Sequence, residues 1–81
     1  MLPVEILDPR RRVGREALID EFTHHARRVD VWLTLDDGRP ARACLAPDDL
    51  VWLDLRRGDV VGVRLLGALP ECDAAPVLLS A

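Results

Sequence analysis

Apolar and polar positions divide the chain into short segments, each with its own period. Leu2 to Leu7 is a brief apolar run broken by Pro3 and closed by Asp8-Pro9. Proline cannot donate to a strand ladder, so this run predicts an edge strand followed by a turn. From Gly14 to Arg28 the period changes. Leu18, Ile19, Phe22, Ala26 and Val29 recur at three- and four-residue spacing, opposite Glu16, Asp20, Glu21, His24, Arg27 and Arg28. That spacing predicts an amphipathic helix, with acids toward its start and arginines at its end as the helix dipole favours. Gly14 is the only residue placed to cap it.

Val29 to Leu35 alternates strictly, setting Val29, Val31, Leu33 and Leu35 on one face and Asp30, Trp32 and Thr34 on the other. This predicts a half-buried strand. Asp36-Asp37-Gly38-Arg39 reads as a turn, and the alternation resumes in Ala41 to Leu45, so the two strands form a hairpin. Ala46-Pro47-Asp48-Asp49 breaks the ladder. Leu50 to Leu55 then suits one helical turn, favoured here, or a strand. Leu55-Arg56-Arg57-Gly58-Asp59 is a turn into a strand at Val60 to Leu66, in which Gly62 marks a bulge or a close backbone approach. Residues 67–75 read as a loop and 76–79 as a closing strand. The expected fold is α+β: a small, partly open β-barrel or curled antiparallel sheet of four to five strands, with one N-terminal amphipathic helix, forming a single domain over residues 1–81.

Composition narrows the function classes. The chain has 81 residues, 49% hydrophobic and 31% charged, a balance typical of a folded domain with a small core. All eleven basic residues are arginine and the net charge is −3. Residues 1–28 carry net +1 and residues 29–81 net −4, so no global field draws the protein to a polyanion, and any such contact is local. The local candidates are Arg10, Arg11, Arg12, Arg15 and Arg39, whose guanidinium groups can bind phosphate in a bidentate manner. Only Phe22, Trp32 and Trp52 are aromatic, so Trp32 and Trp52 are the candidates for a protein interface.

Chemistry is sparsely encoded. On a helix, Asp20 with His24 and Glu21 with His25 would each share a face, but the two pairs point in different directions. No third histidine exists to complete a site, so no metal and no cofactor is expected. No serine, threonine or cysteine lies in a nucleophile motif, and the chain is expected not to be an enzyme. Cys44 and Cys72 match neither a redox nor a zinc spacing, and their pairing is left open. With no signal segment or membrane-length apolar run, the expected location is the cytoplasm.

The stretch Val31 to Arg39, an alternating strand, and then Leu55-Arg56-Arg57-Gly58-Asp59-Val60-Val61-Gly62-Val63 resembles the TOBE and Mop small barrels across residues 29–66. Those modules are related to oligonucleotide/oligosaccharide-binding barrels. Gly38-Arg39, Pro47 and the Leu55 to Asp59 turn are also similar to the swapped-hairpin AbrB type of DNA-binding regulator, with a longer interval before Pro47 than that pattern has. The first resemblance implies a small β-barrel and, as a weaker alternative, oxyanion binding. The second implies a dimeric nucleic-acid-binding regulator or antitoxin using the arginine patch. The leading expectation from the sequence is a non-enzymatic binding or adaptor module that works through protein–protein contacts, as a homo-oligomer and away from membranes.

Overall fold

The computed structural model of the protein describes residues 1–8 and 13–67. Its elements are β1 (Leu2–Ile6), β2 (Arg15–His24), β3 (Val29–Leu35), β4 (Pro40–Leu45), α1 (Pro47–Leu53) and β5 (Val60–Leu65). The strands form a closed barrel in the order β1-β4-β3-β2-β5. β2, β3 and β4 are an antiparallel meander, β5 runs antiparallel to both β2 and β1, and β1 lies parallel to β4. The barrel is therefore closed and mixed, where a partly open or all-antiparallel sheet was expected. Residues 76–79, expected to close the sheet, lie outside the described residues.

The expected N-terminal helix is a strand. β2 spans ten residues, and Ala17 and Ile19 point into the core. A register shift between Ile19 and Glu21 against β3 then moves the inward position from Glu21 to Phe22. A bulge inserts one residue into the two-residue alternation, so consecutive inward positions fall three apart, as they would on a helix. The apolar spacing at Ile19 and Phe22 has this origin. Gly14, read as a helix cap, has φ +80 and opens the strand, and a Cβ there would sit 2.6 Å from the Val63 carbonyl oxygen.

The barrel interior is built from alternating positions. Val4, Ile6, Ile19, Val31, Leu33, Val61 and Val63 supply volume, while Ala17, Ala41 and Ala43 leave room for them in a narrow barrel. Each buried branched side chain contributes roughly 1.5–3 kcal/mol over leaving it in water. Gly62 is a close approach: a Cβ there would run into the Val13 carbonyl, which crosses directly over β5. The Leu7 N–H donates to the Gly62 carbonyl at 2.9 Å, tying the chain after β1 to the same point.

The helical alternative at Leu50 to Leu55 is the one formed. Pro47 sits in the first turn of α1, Asp48 and Asp49 lie beside it, and Asp54 ends the helix in the left-handed region at φ 51. Leu50 and Leu53 pack on the core, and Leu55 is buried. The following turn is held by the Asp59 carboxylate, which accepts the Arg56 N–H at 3.0 Å, with Gly58 at φ 89. Gly58 N–H then donates to the Ile19 carbonyl at 2.8 Å, joining the turn to β2.

Candidate functional site

Of the five arginines proposed as polyanion contacts, Arg15 and Arg39 are described, and both lie at the β3–β4 turn. Arg10, Arg11 and Arg12 lie outside the described residues. Arg15 Nη2 donates to Asp36 Oδ1 at 2.7 Å and Asp37 Oδ2 at 3.0 Å, while Arg39 Nε reaches Asp37 Oδ2 at 2.6 Å. Hydrogen bonds to Asp36 and then Asp37 raise the Arg15 pKa. The Asp37 carboxyl is lowered to about 2, first by the Arg39 backbone N–H and then by the Arg15 guanidinium. Two guanidinium groups and two carboxylates share this turn, so their charges cancel locally. A phosphate at either arginine would also meet the charge of the neighbouring carboxylates.

The two tryptophans have different settings. Trp52 lies on α1 beside Val51, and the two are 73% and 80% exposed. Their position follows from the helix, which turns Leu50 and Leu53 inward and leaves the intervening pair on the solvent side. Trp32 is half-buried on the outer wall of the barrel, where its indole N–H donates to Thr23 Oγ1 at 2.8 Å. Register places Pro3, Arg42, Trp32 and Glu21 in one row across β1, β4, β3 and β2. Met1, Pro3, Trp32 and Arg42 line an open cleft of about 260 Å³. An amphipathic ring with its polar edge satisfied and one apolar face accessible is suited to contact with another surface.

A third group of residues was missed by sequence reasoning. Asp30 was assigned to the polar face of β3, yet it is only 3% exposed. Its Oδ2 lies 3.0 Å from His25 Nε2, and its Oδ1 lies 3.4 Å from Arg28 Nε. The β2–β3 turn, closed by the His25 N–H to the Arg28 carbonyl at 2.8 Å, brings both partners over it. A buried carboxylate held between the His25 imidazole and the Arg28 guanidinium is a structural tie whose loss leaves a buried polar group without its partners. The only available signal was Asp30 two residues after Arg28, and it was hidden by the helical reading of the preceding segment.

The pairing of Asp20 with His24 and Glu21 with His25 does not occur, because β2 is a strand. Asp20 accepts from Thr34 Oγ1 at 2.6 Å, His25 turns to Asp30, and the His24 ring lies 6.5 Å from the Phe22 ring. No group of three or more His, Cys, Asp or Glu side chains among the described residues could hold a metal ion. Cys44 lies on β4, while Cys72 is outside the described residues. No helix among the described residues is long and apolar enough to cross a membrane. No protein-family model, curated protein or solved structure matches the chain.

Proposed function

We propose that the protein is a non-enzymatic binding or adaptor module acting through protein contacts, with the Val51–Trp52 face of α1 as its main contact and the Trp32 cleft as a second. The observation that carries this reading is the exposure of Val51 and Trp52 side by side on a helix whose neighbouring leucines are anchored in the core. An anchored apolar pair is presented rigidly, so docking a partner there orders few additional groups. Tryptophan is also the side chain most enriched among residues that dominate binding energy. The rival reading as a nucleic-acid-binding regulator draws less support, since Arg15 and Arg39 are already matched by Asp36 and Asp37.

Site-directed photo-crosslinking in the native cell tests the proposal. A photoreactive phenylalanine in place of Trp52 is expected to give one discrete protein adduct, and the same probe in place of Arg39 to give none. Adducts from position 39 alone, or a diffuse set from position 52, would overturn it. Random duplex DNA at low salt provides the companion measurement, because binding that falls steeply with added salt would favour the regulator.

A further inference from the structure

The chain leaves the barrel beside the Trp32 cleft. Leu65 pairs with Val4, and the Leu66 N–H donates to the Pro3 carbonyl at 2.9 Å, which brings Gly67 level with Leu2. Leu2 and Pro3 are in turn in register with Ala41 and Arg42 of β4. Ala41 and Ala43 face the core, so Arg42 and Cys44 face outward, on the wall that carries the cleft. Cys44 is half-buried there and is disulfide-bonded. The other cysteine of the sequence is Cys72, five residues beyond Gly67.

Reach decides whether Cys72 can be the partner. From Gly67 to Cys44 the register counts two strand spacings across the sheet and three residues along it, roughly 14 Å. Five extended residues span about 17 Å, and a disulfide adds a Cα separation of about 5.5 Å. The distance is covered with slack enough to pass over side chains. A direct course crosses the outward row of Pro3 and Arg42, two of the residues that line the cleft, with Trp32 next in register. The residues available for that course are Ala68, Leu69, Pro70 and Glu71. Leucine and proline suit an indole face, and a carboxylate suits the Arg42 guanidinium, so the stretch matches the cleft in chemistry as well as in length.

We propose that a Cys44–Cys72 disulfide straps residues 68–71 across the Trp32 cleft, and that its reduction frees the cleft for a partner. The proposal rests on the reading of that cleft as a contact surface and assigns its regulation. A low-molecular-weight disulfide is the oxidant. One cysteine thiolate attacks it, releases one small thiolate and forms a mixed disulfide; the second cysteine thiolate then attacks the protein sulfur and releases the other. The two protons of the protein thiols end on the two released thiolates, and the two electrons go with them. A dithiol reverses both steps. Occupancy of the cleft then follows the thiol–disulfide poise around the protein.

The test uses the full chain carrying W52F, which leaves Trp32 as its one tryptophan. The same protein is treated with glutathione disulfide or with dithiothreitol. The oxidised chain is expected to run as a monomer on a non-reducing gel, with no titratable thiol and a mass lower by two hydrogens. Acrylamide quenching of its Trp32 fluorescence is expected to be several-fold weaker than in the reduced chain. C72S is expected to quench like the reduced chain under both treatments, with circular dichroism checking its fold. Glutathione adducts or a disulfide-linked dimer in place of the internal bridge would overturn the proposal, as would a bridge that leaves quenching unchanged. In either case a discrete crosslink from position 52 would keep the protein-contact reading. Shielding as expected, alongside an empty crosslink at position 52, would retain the strap and remove α1 from that reading.

Discussion

The two halves of β2 differ in how many neighbours they have, and most of their other differences follow from that. Ala17 and Ile19, between β3 and β5, are nearly inaccessible, whereas Phe22, which among the described residues has β3 alone beside it, is half-buried. The same strand is a barrel stave for its first half and, for its second, a hairpin arm whose Phe22 packs against the core. Closure of the barrel is achieved by the first half, where β5 pairs with Arg15 to Leu18.

The sharpest way to break this comparison is to truncate each half. Ile19→Ala is expected to cost roughly 3–4 kcal/mol, because the cavity lies in a closed barrel whose walls cannot collapse. Phe22→Ala is expected to cost less than half of that, about 1–1.5 kcal/mol, since part of the ring already faces water. Urea unfolding measures both, and equal losses would show that the arm is as integral to the core as the stave. Next in size is the crossing over β5. Gly62→Ala places a methyl group against the Val13 backbone and is expected to cost about 2 kcal/mol, read as a fall in the urea midpoint, with no change in any self-association. A neutral result would show that the segment before β2 moves easily and does not fix the stave.

The smallest effect concerns the charged turn that meets the stave through Arg15. Asp37 has a folded-state pKa of about 2, below its ordinary 3.8. A depressed carboxyl contributes stability that is fully present above its unfolded pKa and is lost as pH falls through the folded value. The contribution should therefore persist at pH 5 and above and disappear between about pH 4 and 2. The group is fully exposed, so salt should screen the effect. An NMR titration of the Asp37 carboxyl is expected to give a low midpoint that rises more in R15A than in R39A, because R39A keeps the backbone N–H that lowers it most; no rise in R15A would remove that guanidinium from the account.

The strands β3, β4 and β5, the turn at Gly38 and the short helix at Pro47 were legible in sequence because each rests on local rules; β1 was legible as a strand but not as one paired on both sides, with β4 and β5. Strict alternation, a glycine at positive φ and a proline in a first helical turn need no distant partner to be recognised. β2 was not legible, since a bulge and a helix turn place apolar residues at the same three-residue step, and only pairing with β3 distinguishes them. Asp30 was hidden for a related reason: its burial depends on the turn that folds His25 and Arg28 back over it. The arginine candidates could be named but not weighed, because Arg15 meets Asp36 and Asp37 across more than twenty residues of chain. The tryptophans were named without a setting, and the helix registers that expose Trp52 come from the anchoring of Leu50 and Leu53.

By itself the sequence determined the local elements with short-range signatures and the small apolar core, since composition and spacing act within a few residues. Tertiary structure alone decided that residues 15–24 are a strand, that the sheet closes on itself, and that two arginines are paired with two aspartates. Each of those depends on which strand lies beside which, and pairing over long sequence distance is a cooperative outcome of the whole barrel that no single segment encodes.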